Sequence, residues 1–264
     1  MATNVARGSM RLRRRSFSSA ASSSSPLLFG IVSRGRPTRV SPWSFGRKTM
    51  STLSLPAVQS LVLEGIDWQT YTRLLRALDE RPNIRLTYDR GSLEIMTLGH
   101  EHESFSYLLA RLVDALTEEL NLPVKGGRST TFRRRQKRRG LEPDNCWWIA
   151  SEPLVRGKDR INLRIDPPPD LAMEVDVTHS SLDRLAIYAA LRVPEVWRRE
   201  GETLVCYLLG EDGHYTVSST SRAFPGLSPA DLMNFVALRG QMDENALVRQ
   251  FRAWVRQQFP QQQP

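Results

Sequence analysis

The sequence predicts a domain of mixed helix and strand content, α/β or α+β, with a mixed β-sheet flanked by helices. Helix-period and strand-period segments follow one another in the order helix, strands, helix, strands, which is the pattern of such folds. Between Glu103 and Leu120 the residues Phe105, Leu108, Leu109, Leu112, Val113, Leu116 and Leu120 make one apolar stripe at helical spacing. The run from Leu171 to Val177 reads instead as a strand, and it carries acids on one face only.

The remaining elements follow in order. Asp67 caps a helix whose apolar positions Tyr71, Leu74, Leu75 and Leu78 keep helical spacing to about Arg81, where Pro82 ends it. Ile84 to Tyr88 and Ser92 to Met96 alternate in polarity around Asp89, Arg90 and Gly91, a hairpin signal. After the long helix, residues 123–127 and 130–134 read as short strands before a basic loop containing Arg133, Arg134, Arg135, Lys137, Arg138 and Arg139. Cys146 to Ile149 is an apolar strand that Asp144 opens, and a polar loop ending at Asp170 leads to the acidic strand. Residues 180–191 read as a helix, 193–197 as a return strand, and 203–209 with 213–218 as a second hairpin. Leu247, Phe251, Trp254 and Val255 place a closing C-terminal helix.

A chain of 264 residues with 40% apolar content can bury one full core. Its formal charge of +9 is concentrated at the start: residues 1–49 hold nine Arg, one Lys and no acid. Residues 50–264 therefore carry 27 basic and 28 acidic side chains, so the overall pI of about 10.1 says nothing of a nucleic-acid-binding face on the folded part. The Arg- and Ser-rich first segment lacks apolar periodicity and is expected to be disordered, leaving residues 50–264 as a single domain. It reads either as an organellar transit peptide or as sequence translated upstream of a start at Met50. The expected location is the cytoplasm, or a chloroplast or mitochondrion if the segment is a transit peptide. No run approaches the roughly 20 apolar residues needed to span a membrane. Cys146 and Cys206 lie in apolar runs, as buried free thiols in a reducing compartment do.

Strand side chains alternate faces, so Leu171, Met173, Val175 and Val177 share one side while Ala172, Glu174 and Asp176 share the other. Two carboxylates held together are disfavoured by desolvation and repulsion unless a cation neutralises them, and the simplest such cation is a hard divalent metal. An Asp opening one strand, Asp144, and a Glu within the next, Glu174, is the pattern of a metal-dependent nuclease. His100 and His102 are two apart, but no Cys or third His completes a zinc set. His179 reads as polar loop rather than as a general base.

Several segments together resemble the Uma-type family of restriction-endonuclease-like proteins, a branch of the PD-(D/E)XK nuclease superfamily. They are residues 93–96, 101–103, 140–144, 166–171, 174–177, 181–184, 187–190 and 193–197, in that order and spacing. The resemblance implies a restriction-endonuclease-like core with its active site on the central strands. By position it implies that Asp144 and Glu174 hold Mg²⁺, with Mn²⁺ as the other candidate, and that Glu103 and His102 at a helix start face the active site. The family's usual lysine falls at Arg184, and Asp176 occupies the superfamily's other lysine position, so neither is filled. Arg184 is expected to stand in for the lysine, reaching toward Glu174 or the bound phosphate. Asp176 either joins the metal site or pairs with an arginine such as Arg184.

These readings lead to a Mg²⁺-dependent endonuclease acting on nucleic acid, DNA before RNA, with the basic loop on the backbone phosphates. No membrane partner is expected, and a homodimer is left open. The competing class, motivated by the missing lysine, is a nuclease-fold protein that binds nucleic acid or regulates without cutting.

Overall fold

The computed structural model describes residues 59–78, 81, 83–175 and 180–260, all within one unit spanning Leu53–Pro264. The disorder expected over residues 1–49, and the positions of Asp176 and His179, lie outside the described residues.

Helix α1 (Trp68–Ala77) begins where Asp67 accepts a hydrogen bond from the Thr70 amide at 2.7 Å, the cap read from the sequence. It stops short of Arg81, closing on Leu78, because the chain must turn there to start the next strand; the Ile84 amide bonds back to the Arg81 carbonyl. Strand β1 (Gln59–Leu63) precedes this helix, and β2 (Ile84–Asp89) and β3 (Ser92–Thr97) follow it, paired from Asp89 opposite Ser92. The two-residue turn puts Arg90 at φ 50° and Gly91 at φ 122°, the positive-φ geometry that suits the twist of a hairpin. Helix α2 (His100–Glu119) and its buried cap residue Leu120 bury the whole predicted stripe.

The basic segment is a hairpin rather than a loop. β5 (Phe132–Arg134) and β6 (Arg139–Leu141) pair antiparallel across a 3₁₀ turn at Arg135–Lys137, with Arg138 in the left-handed region at φ 49°. Gly140 lets this hairpin lie on α1, since a Cβ there would collide with the Tyr71 hydroxyl. Charge counting along the sequence records solvation of these arginines; it cannot record that Phe132 and Leu141 on the same strands are wholly buried.

Two sheets result where the sequence suggested one. The first is antiparallel throughout, in the order β1-β3-β2-β6-β5. The second contains β4 (Lys125–Gly126), β7 (Asn145–Trp148), β8 (Leu171–Glu174), β9 (Glu195–Glu200), β10 (Thr203–Leu209) and β11 (Tyr215–Ser218). Its order is β11-β10-β9-β8-β7-β4, and only β8 and β9 run parallel, joined through α4 (Arg184–Leu191). The short helices α3 (Glu152–Val155) and α5 (Ala230–Val236) were not legible in the sequence, whereas α6 (Glu244–Gln258) is the expected closing helix. The architecture is α+β, two sheets flanked by helices, a restriction-endonuclease-like core.

Strand β8 is the pivot of the fold. Leu171, Met173 and Val175 pack with α2, α5 and α6, while Ala172 joins the opposite core with Ile187, Tyr188 and Leu191 of α4. The alternation read from the sequence holds, but both faces are covered. Glu174 is therefore 2% exposed, a core carboxylate and not a half-buried one. Among the described residues, no helix is long and apolar enough to cross a membrane.

Candidate active site

Two strand ends bring the acids together. Across the antiparallel β7 and β8 pair Asn145 stands opposite Met173, so the next step of the register sets Asp144 opposite Glu174. Both are buried, at 8% and 2% exposure. Strand pairing alone thus makes neighbours of residues thirty apart in sequence.

Each acid has its own basic partner. Arg184, in the first turn of α4, donates from Nη2 to Glu174 Oε1 at 2.7 Å and to the Glu142 carbonyl at 2.8 Å. Its Nη1 reaches Thr87 Oγ1 on β2, so the guanidinium is held between the two sheets. Tyr188 lies one helical turn beyond Arg184, on the same face, and donates its hydroxyl to the same Glu174 oxygen. On the other side, His102 Nε2 of α2 lies 3.1 Å from Asp144 Oδ2, which also accepts the Val175 amide at 2.8 Å.

The electrostatics follow from these contacts. Burial pushes the Asp144 carboxyl up, but the His102 hydrogen bond and charge, the Val175 amide and Arg184 outweigh it, leaving the group below the usual carboxylate range. Burial also raises Glu174; Arg184 opposes this, the Asp144 charge adds to it, and the net direction is upward. Burial disfavours the charged form of Arg184, yet attraction to Glu174 dominates and the guanidinium stays a cation at any accessible pH. Tyr188 is held well above its ordinary value by burial and by the Glu174 charge, and it remains a hydrogen-bond donor.

The other residues read from the sequence are distributed as follows. Glu103 sits at the rim with its side chain 48% exposed, 3.8 Å from Arg85, so it is His102 that contacts the acid pair. His100 is exposed at the first turn of α2, and no group of three or more metal-ligating side chains occurs among the described residues. The basic run is divided by the hairpin. Arg133 and Arg135 line a groove against α1. Arg134 is partly buried, and burial followed by repulsion from Arg192 depresses its pKa. Arg139 is structural, bonding Asp89 at 2.8 Å and the Ala186 carbonyl at 3.0 Å. Arg138 lies 3.5 Å from the Tyr88 hydroxyl, and Lys137 is exposed.

Sequence reasoning missed Thr87, Glu142 and Tyr188 as parts of the site. Only Tyr188 had a signal, its four-residue spacing from Arg184; the other two arrive from the first sheet through tertiary packing.

A family model described as Uma2, "Putative restriction endonuclease", matches residues 68–239. That span includes α1, both sheets except β1, and every residue of the Asp144, Glu174, Arg184 and His102 constellation. A comparison with curated proteins gave no match.

Proposed function

The chain belongs to the Uma2 family, and from that premise we propose that it is a metal-dependent endonuclease that hydrolyses phosphodiester bonds, in DNA in the first instance. The observation that carries this reading is the buried Asp144 and Glu174 pair at adjacent strand ends, with a fixed guanidinium on one acid and an imidazole on the other.

The donor set suits a hard divalent ion. Among the described residues, Asp144 Oδ1 and Glu174 Oε2 accept no hydrogen bond, while their partner oxygens are tied down. Glu174 remains raised despite Arg184, so burial and the Asp144 charge still disfavour its ionised form, a cost that a further cation would offset. Asp144 and Glu174 would hold Mg²⁺ or Mn²⁺, which commonly takes one or two carboxylates and fills its other positions with water and phosphate. Such an ion, when bound, lowers the pKa of water and neutralises phosphate charge.

The chain's own groups do the rest. His102 and the Val175 amide fix the Asp144 carboxylate. Tyr188 and Arg184 both hold Glu174 Oε1, which orients the other oxygen. Arg184 cannot accept a proton, so its role is electrostatic: a preorganised cation beside the position where negative charge develops on a phosphate.

A second reading, a nucleic-acid-binding or regulatory module on a catalytically impaired scaffold, draws support from the same contact. Arg184 already neutralises Glu174 from within the fold, as a metal would. Plasmid nicking with Mg²⁺ or Mn²⁺, alongside calorimetric Mn²⁺ titration, separates the two for the native chain and Asp144→Ala. Metal-dependent cutting and Mn²⁺ binding that both vanish in Asp144→Ala support the enzyme. No cutting by the native chain or by Arg184→Lys leaves the binding module as the reading.

A further inference from the structure

Beside the acid pair lies a second feature with its own chemistry. A groove of about 1330 Å³ opens between α1, the β4 end, the basic hairpin and residues 158–164. It exceeds the ~300–1,000 Å³ of ordinary small-molecule pockets. Its lining includes seven cationic side chains and one acid, Asp159. Because residues 50–264 as a whole carry 27 basic and 28 acidic groups, this concentration is local and not a reflection of composition.

The cations are of two kinds. Lys125 and Lys158 are engaged: Lys125 donates to the Val155 and Lys158 carbonyls, and Lys158 pairs with Asp166 at 2.5 Å. Arg76, Arg133, Arg135, Arg160 and Arg164 are exposed and make no ion pair among the described residues. Five like charges around one concavity repel one another, and an anion with several regularly spaced charges relieves this better than separate small ions. Trp68 stands in the wall, partly exposed, its ring braced edge-on by Tyr71 at 5.3 Å and Tyr88 at 5.6 Å. A rigid aromatic face beside a basic track is what a nucleic-acid base stacks on.

The groove borders a second, smaller recess on the side of Glu142. Leu75 and Thr131 line both, and the recess also contains Glu142 and Arg85. Thr131 donates to the Glu142 side chain at 2.6 Å, and the Glu142 carbonyl accepts from Arg184.

We propose that this groove is a phosphodiester-backbone track for nucleic acid, with Arg76, Arg133, Arg135, Arg160 and Arg164 on the phosphates and Trp68 against a base. The proposal rests on the nuclease reading only in naming nucleic acid as the occupant. Binding is therefore measured in EDTA, where no metal-dependent cutting occurs, on the full chain with fluorescent single-stranded and duplex 20-nucleotide probes. Residues 1–49 are present in every form, so their contribution cancels in the differences.

Arg133→Ala, Arg135→Ala, Arg160→Ala and Arg164→Ala combined should weaken binding at least about tenfold and reduce the slope of log affinity against log salt by about 3, near 0.7–0.9 per lost phosphate contact. The same four positions changed to Lys should bind within about threefold of the native chain, which separates charge from folding. Arg249→Ala, an exposed control on α6, should bind as the native chain does. Trp68→Ala should weaken the single-stranded probe more than the duplex. An unchanged salt slope in the fourfold Ala variant, or Lys variants as weak as the Ala variants, would overturn the proposal. Failure of the nuclease reading would look different: groove-dependent binding with no cleavage on adding metal.

Discussion

Arg184 meets Glu174 at 2.7 Å, from the first turn of α4 back to the last residue of β8, and both side chains are almost fully buried. A carboxylate that deep in a core must be matched by a counter-charge or by several hydrogen bonds, and for Glu174 the match is Arg184 together with Tyr188. The crossover from β8 through α4 to β9 is therefore tied at its start by an ion pair that also belongs to the candidate active site.

Removing one partner of that pair should cost stability and activity together. Arg184→Ala leaves Glu174 buried without its cation, and a loss of about 3–5 kcal/mol is expected in denaturant unfolding. On a metal-dependent nicking activity the same change should cost on the order of 10² to 10³ in rate, the scale for losing one transition-state donor. Arg184→Lys, which keeps a cation beside Glu174, should keep or raise the rate. Nicking unaffected in a folded Arg184→Ala chain would remove the guanidinium from the mechanism.

Asp89 provides a pH-dependent test of the basic hairpin's structural part. Burial raises its carboxyl, but hydrogen bonds and charge from Arg90 and Arg139 bring it below the ordinary value of 3.8. The unfolded chain thus takes up this proton first as pH falls. The group's contribution to stability is present above the ordinary value and is lost as pH drops through the lower folded one. Asp89→Asn should flatten the acid limb of the stability curve in that window, read from urea midpoints between roughly pH 5 and pH 2. An identical slope in the variant would show that Arg139 gains nothing from this carboxylate.

Glu195 is fully buried and makes no ion pair among the described residues. It accepts the Trp197 indole at 2.5 Å, the Ser221 hydroxyl at 2.7 Å and the Arg222 and Ala223 amides, each at 2.8 Å. These bonds anchor the 221–224 turn to β9. Glu195→Gln turns an amide donor toward donors, and each donor left without an acceptor costs about 1–3 kcal/mol. The expected result is a destabilisation of roughly 3 kcal/mol or more with the site contacts of Asp144 and Arg184 intact. A variant as stable as the native chain would show that water satisfies the turn equally well.

Much was legible in the sequence because it depended on local periodicity. The stripe from Phe105 to Leu120, the Asp67 cap, the turn at Arg90 and Gly91 and the two faces of β8 follow from helix and strand geometry, which a linear pattern records directly. An Asp opening one strand and a Glu within the next nominated Asp144 and Glu174, and the antiparallel pairing of those two strands sets them opposite each other. The reach of Arg184 to Glu174 was also anticipated, from the family resemblance that sets Arg184 at the position of the usual lysine.

Apart from Arg184 and Glu174, tertiary structure alone decided which groups neutralise which acids and which arginines remain free. His102 reaches Asp144 from a helix more than forty residues earlier, and Thr87 fixes Arg184 from the other sheet, 97 residues away. Within one basic run, Arg139 is consumed by Asp89 while Arg133 and Arg135 face an open groove. Sequence pattern reports the face on which a side chain emerges; its partner depends on what another part of the chain packs against that face. Burial then makes the difference between a solvated charge and one that must be matched.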